Sequence, residues 1–223
     1  MRANPISWRK CDLLSQAITT NSPLHAMKTI ARLLLNAALA TRAMTAPPGS
    51  VPVGLRDKTV VAWVYLANTN QWGGSVLTLI DKAGHFDAIV LGEIAQGKWM
   101  AGSDFFRRTQ QDQATWPVES VGSTTLVQLA IGYRGDRVTL FRNGKEYAAY
   151  RIGQAQSFGD DSMVLLGLRY IGEMGEIGFF TGAIEEARIY DTALNADRIA
   201  ALHPNQPSDP KPLACWTFED GPY

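Results

Sequence analysis

The sequence predicts an all-β protein, a sandwich of antiparallel strands with one short helix near the C-terminus. Three observations lead there. Short runs rich in Val, Ile, Leu, Thr, Tyr and Trp recur from residue 59 to residue 190, separated by Gly and polar clusters. Asn143-Gly144 stands between two such runs, and Asn-Gly tolerates the positive φ angles of a type I′ hairpin turn. Val127, Leu129, Ile131 and Tyr133 fall on alternate positions with Gln128 on the other face, which is the pattern of a half-buried strand.

Taken in order, residues 1–26 show no sustained period. Residues 27–46 then change character: Lys28 and Arg32 precede an apolar run over 33–40, and small residues continue up to Ala46. A charged start, an apolar middle and a small-residue end make the layout of a secretory signal peptide starting at Met27, so a secreted or periplasmic location is expected. An amphipathic helix is the alternative for the same stretch. Residues 46–52 read as a linker. The strands are expected at 59–66, 75–80, 86–92, 125–133, 136–142, 145–152, 163–169 and 182–190.

A helix is expected over 195–202. Asn195 can cap its first turn, Asp197 complements its dipole, Ile199 and Leu202 give a short apolar stripe, and Pro204 stops it. Pro207, Pro210 and Pro212 stiffen the next stretch of chain, and 213–221 looks like one more strand. The expected division is therefore an extension over 1–54, the sandwich over 55–203, and a Pro-rich linker over 204–223. The last segment either opens a further module or supplies a closing strand.

Composition narrows the function. Twenty-one Lys and Arg balance twenty-one Asp and Glu, so the chain lacks the basic surplus of a nucleic-acid binder. The 33–40 run is too short to span a bilayer. Cys11 and Cys215 give no zinc spacing, and His25, His85 and His203 sit alone as surface residues.

The string Gly182-Ala183-Ile184-Glu185-Glu186-Ala187-Arg188-Ile189-Tyr190-Asp191-Thr192-Ala193-Leu194, with the short helix after it, resembles the last strand of a laminin-G-like domain of the concanavalin A-like lectin/glucanase superfamily. Thr59-Val60-Val61-Ala62-Trp63-Val64 is similar to an early strand of that family, and Phe141-Arg142-Asn143-Gly144-Lys145 to its central hairpin. The resemblance covers roughly residues 55–202 and implies a two-sheet antiparallel jelly roll. The family's usual opening strands are not evident before Leu55.

A narrower resemblance lies in Lys98-Trp99-Met100-Ala101-Gly102-Ser103-Asp104-Phe105-Phe106-Arg107-Arg108-Thr109-Gln110, and in Trp216-Thr217-Phe218-Glu219-Asp220-Gly221. Both are similar to laminin-G-like modules attached to bacterial family-32 glycoside hydrolases of the levanase and invertase type. This implies a non-catalytic, carbohydrate-binding accessory module, fructan-directed, with a polysaccharide or oligosaccharide ligand and a catalytic glycoside hydrolase domain as partner. The alternative is a jelly roll that packs on a catalytic domain without a sugar site of its own.

A retaining glucanase of the superfamily would carry Glu-x-Asp-x-Glu on one strand, its carboxylates about 5 Å apart on one face. Glu185 and Glu186 are adjacent, so regular alternation sends them to opposite faces, and an ion pair of Glu186 with Arg188 is expected instead. For sugar contact the candidates are Trp72, Trp99, Asp104, Phe105, Phe106, Arg107 and Arg108: aromatic rings stack on sugar C–H faces while Asp and Arg fix hydroxyls. The competing reading has Trp99, Phe105 and Phe106 covering a sheet edge with the arginines solvated. Trp63, flanked by apolar residues, is expected in the core. Laminin-G-like domains often hold Ca²⁺, which makes Asp160 and Asp161 candidate ligands, although a plain turn would also use them.

Overall fold

Strand β2 (Lys58–Leu66) shows how the layers arise. Val60, Ala62, Val64 and Leu66 join the core between two sheets, while Val61 and Trp63 point the other way into a second apolar cluster. Both faces of the strand are therefore buried. The structure is a computed structural model that describes residues 44–45, 54–172 and 175–218. The signal-peptide expectation, apart from Met44 and Thr45, lies outside the described residues.

The remaining strands are β1 (Met44–Thr45), β3 (Gly74–Ile80), β4 (Phe86–Leu91), β5 (Trp99–Ser103), β6 (Leu126–Arg134), β7 (Arg137–Arg142), β8 (Lys145–Arg151), β9 (Met163–Leu166), β10 (Tyr170–Gly172), β11 (Gly175–Ile177), β12 (Gly182–Tyr190) and β13 (Ala214–Thr217). One sheet has the order β13-β12-β2-β6-β7-β8 and the other β1-β9-β3-β4-β5, with β10-β11 as a separate ribbon. All ladders are antiparallel. Two facing antiparallel sheets make the expected jelly-roll sandwich. Within the stretch 213–221, Ala214–Thr217 pairs with β12 and forms an edge of the same domain.

The alternation read in β6 holds, for Val127, Leu129, Ile131 and Tyr133 all face the inter-sheet core. Gln128 faces outward and donates to the carbonyls of Ile199 and Leu202, two groups at the end of helix α1 (Ala196–Ala200). Asn195 caps that helix through its side chain, which accepts from the Arg198 amide at 2.9 Å. Ile199, Leu202 and Leu194 then cover Val61, Trp63, Ala130 and Phe141.

Strand β12 carries a register shift between Ile184 and Glu186. An inserted residue lets both Ile184 and Ala187 face the core. It also changes the direction of the two acids. The opposite-face expectation fails, because the Asn205 side-chain amide donates to Glu185 at 3.1 Å while the Asn205 backbone N–H donates to Glu186. The expected Glu186–Arg188 ion pair is present, buried, with the guanidinium 4.9 Å from the Trp63 ring.

A strap between β5 and β6 closes the side of the sandwich where β5 and β8 are the edge strands. Trp116 stacks on Tyr150 at 6.1 Å and meets Tyr147 edge-on at 6.0 Å. The Tyr150 hydroxyl donates to the Arg108 carbonyl at 2.9 Å. No helix among the described residues is long and apolar enough to cross a membrane.

Candidate functional site

The expected sugar-contact residues separate into three groups. Trp99 is not in a loop. It opens β5, pairs with Leu91, and is 1 % exposed. Its ring belongs to the inter-sheet core, so it offers no face to a ligand, and that expectation is corrected.

Asp104 and Arg108 are buried as well, and their expected role as ligand contacts is corrected on the same ground. Arg108 donates to Asp87 at 2.9 Å and to Asp104 at 2.5 Å, and it also bonds the Phe86 carbonyl. Asp87 in turn pairs with Lys58 at 2.8 Å, both side chains fully buried. The Lys58 ammonium lies 4.2 Å from the Tyr133 ring and 4.8 Å from that of Phe158. Burial draws the Lys58 pKa downward, against the opposing pull of Asp87. Ser103 accepts from the Arg108 amide at 2.9 Å. This network fixes the end of β5 to the start of β4 and to the opposite sheet.

Phe105, Phe106 and Arg107 stand on that fixed base as a tip. Phe105 is 86 % exposed at φ +49°, and Phe106 is partly exposed at φ +56°. Two consecutive bulky residues in the left-handed region are uncommon and strained. The exposed Arg107 guanidinium lies 5.4 Å from the Phe105 ring.

Trp72 occupies the opposite pole, in the loop that leads into β3, and is 67 % exposed. Its neighbour Gln71 holds the loop in place. The Gln71 amide donates to the carbonyls of Asn68 and Thr181, both at 3.0 Å, and its oxygen accepts from the Thr181 amide at 2.9 Å. Gly73 comes next at φ +69°, and a methyl group there would meet Arg169 Nη1 at 2.9 Å. The positive φ favours glycine here, while the contact itself is with the movable end of Arg169. Arg169 pairs with Glu93, which lies just beyond β4. Phe179, 48 % exposed, forms an isolated bridge with Ser75 just beyond this loop. Trp72, Arg169, Glu93 and Phe179 thus come from four separate segments that meet at one pole: two exposed aromatic rings on a braced loop and its neighbour, beside a polar pair.

Phe179, Arg169 and Glu93 do not stand out in the sequence. One signal is available for the first. In an extended doublet such as Phe179-Phe180 one ring must point outward, and here Phe180 is buried while Phe179 is not.

Asp160 and Asp161 sit exposed beside a turn closed by the Ser162 amide on the Gly159 carbonyl at 3.1 Å. Calcium needs six to eight oxygens. Among the described residues these two belong to no group of three or more His, Cys, Asp or Glu side chains.

Two stacked antiparallel sheets with loops at the poles define a lectin-like jelly roll. Residues 40–200 match the profile of Laminin_G_3, described as the concanavalin A-like lectin/glucanases superfamily, and the chain belongs to that family. No curated protein matches the sequence. Among solved structures, domain 4 of AbnA, a GH43 extracellular arabinanase from Geobacillus stearothermophilus in complex with arabinotriose, is 16 % identical with a TM-score of 0.48, covering 69 % of this chain and 68 % of its own. The Ruminococcus gnavus IT-sialidase CBM40 bound to sialyllactose is 16 % identical with a TM-score of 0.45, covering 66 % and 83 %. Mouse laminin alpha1 domains LG4-5 are 13 % identical with a TM-score of 0.47, covering 72 % and 42 %.

Proposed function

We propose that the domain is a non-catalytic carbohydrate-binding module and that Trp72 is its principal stacking platform. The observation that carries this is a tryptophan two-thirds exposed on a loop whose neighbouring Gln71 makes three hydrogen bonds to hold it. A loop held in place before the ligand arrives loses little entropy on binding. The Arg169–Glu93 pair beside it supplies donors and acceptors for sugar hydroxyls. Membership of a lectin/glucanase superfamily is consistent with this chemistry, though a fold by itself does not assign it.

The non-catalytic reading rests on the carboxylates. Asp87, Asp104, Glu119 and Glu186 are the buried ones among the described residues, and each is engaged by Lys or Arg. Each is spent on holding the fold together, whereas a glycosidase presents a pair of carboxylates to the scissile bond. An accessory role in a glycoside hydrolase system, direction toward fructans, and a location outside the cytoplasm are further parts of the proposal. They are supported by the resemblance of residues 98–110 and by the layout of residues 27–46.

Affinity electrophoresis through gels containing levan, inulin, arabinan and other neutral polysaccharides tests the reading. Retardation by at least one polymer, lost in Trp72→Ala with unchanged thermal stability, is the expected result. No retardation by any glycan would favour instead a jelly roll that only packs on another domain.

A further inference from the structure

We infer that the Phe105–Arg107 tip is a second binding site, for an acidic sugar residue, at the pole opposite Trp72. It shares with the Trp72 reading the premise that the domain binds glycans, but it uses different residues and a different charge.

Strand polarity sets the separation. Gly74 pairs with Leu91 and Leu91 with Trp99, so the beginnings of β3 and β5 lie at the Trp72 pole. Ile80 pairs with Phe86 and Asp87 with Ser103, so the ends of those strands lie at the tip. The seven residues of β3 place the two poles about 20 Å apart at roughly 3.3 Å per residue. One monosaccharide cannot touch both.

The backbone at the tip is evidence for function. Phe105 and Phe106 hold positive φ angles, and Phe105 is 86 % exposed, so burial of its ring in the core does not compensate the strain. The residues beneath are heavily braced: Arg108 on Asp87, Asp104 and the Phe86 carbonyl, and Thr109 on the Ala101 carbonyl at 2.7 Å. A firm base that holds an aromatic ring out in water in a costly conformation is the arrangement of a ligand platform.

Arg107 sets the ligand class. Its guanidinium covers Phe105 at 5.4 Å, which leaves the other side of that ring open for a sugar C–H face. Its Nη1 ion-pairs with Asp104 Oδ2 at 3.6 Å, too long for a hydrogen bond, while Arg108 holds the other oxygen of Asp104. The Arg107 side chain is 61 % exposed, so a uronate carboxylate reaches its outer N–H groups in competition with that long contact. Anionic membranes are a poorer match. Docking there uses clusters of basic residues, whereas Arg108, the other arginine of the tip, is buried in its ion pairs.

The test is calorimetry of the full chain with polygalacturonate and alginate beside a neutral polymer, for wild type, Trp72→Ala, Phe105→Gly, Arg107→Gln and the Trp72→Ala/Arg107→Gln pair. Sedimentation with phosphatidylserine vesicles runs in parallel. Binding of an acidic polymer should weaken at least tenfold in Phe105→Gly and in Arg107→Gln, fall with added salt, and persist in Trp72→Ala. Phe105→Gly should melt no lower than wild type, because glycine relieves the positive φ; a structural role for Phe105 would lower the melting temperature. Acidic-polymer binding that ignores Phe105 and Arg107 but disappears with Trp72 overturns the second site and leaves the first standing. Neutral-polymer binding that survives Trp72→Ala, with acidic-polymer binding lost in Phe105→Gly and Arg107→Gln, does the reverse. Phe105-dependent binding to vesicles but not to polyuronates also overturns the proposal.

Discussion

The indole N–H of Trp99 donates to the Glu119 carboxylate at 2.9 Å, and Arg142 grips the same carboxylate at 2.7 and 2.8 Å. Trp99 belongs to one sheet and Arg142 to the other, so Glu119 fastens the strap to both layers at once. Burial works to raise the Glu119 pKa, but the bonds from Arg142 and Trp99 outweigh it and hold the carboxyl below its ordinary value of 4.5. A depressed carboxyl contributes stability that is present above the unfolded value and lost as pH falls through the folded one. Glu119→Gln should cost about 2 kcal/mol at neutral pH, because it leaves Arg142 without its anion. It should also flatten the acid limb of the stability profile below about pH 4.5. Urea melts across that range measure both, and a loss under about 0.5 kcal/mol would contradict the strap's role.

Arg107 and Arg108 are neighbours in sequence with opposite fates. Arg108→Met removes a cation from between Asp87 and Asp104, and breaking a buried pair in this way costs about 3–5 kcal/mol. Arg107→Ala changes an exposed side chain and should stay within about 0.5 kcal/mol. Denaturant unfolding of the two variants should separate them clearly. Equal effects would mean that the buried network is not what fixes the tip.

Alkaline stability depends on the tyrosines. Burial pushes the Tyr147 hydroxyl up to about 12, and Tyr150 and Tyr133 are moved in the same direction by the same cause. A raised tyrosine contributes stability that is intact below its unfolded value of 10.0 and is lost as pH climbs toward the folded one. Unfolding free energy should therefore decline steadily from about pH 10 to about pH 12. Tyr147→Phe should make that decline shallower while lowering neutral-pH stability by about 1 kcal/mol, since its hydroxyl bonds the Pro117 carbonyl and accepts from the Trp99 amide. A profile unchanged by the substitution would refute the assignment.

Gly144 is required twice over. Its φ is +75°, and a Cβ there would stand 2.6 Å from the Cα of Ala200 in α1. Gly144→Ala must strain the hairpin and displace the helix, at a cost of about 1–3 kcal/mol. A thermal melt of the variant should show a clear drop, and an unshifted melt would mean that α1 does not depend on that contact.

The features legible in the sequence are local ones. The Asn143-Gly144 turn, the β6 alternation and the Asn195 cap each declare themselves within a few residues. Trp99 reads as a loop residue because β5 is buried on both faces and its pattern hides the strand. Trp-Met-Ala-Gly-Ser shows no polar alternation, and Gly102 is small because a Cβ would stand 2.6 Å from Val90. Arg108 reads as solvated because its partner Asp87 lies 21 residues away and is met only when β4 and β5 pair. The place of Trp216 at a sheet edge rests on its pairing with Ala187, which no local pattern reveals. At the Trp72 pole the exposed tryptophan is visible as a loop residue, whereas Glu93, Arg169 and Phe179 are assembled around it only by the fold.

Trp72 is the residue on which the proposed function chiefly depends, and isothermal titration of wild type and Trp72→Ala with a neutral polysaccharide addresses it most directly. Measurable heat with wild type and at least a tenfold loss of affinity in the variant, with both proteins equally folded, is the expected outcome. Equal affinity in the two, or heat from neither across the whole panel, would contradict it.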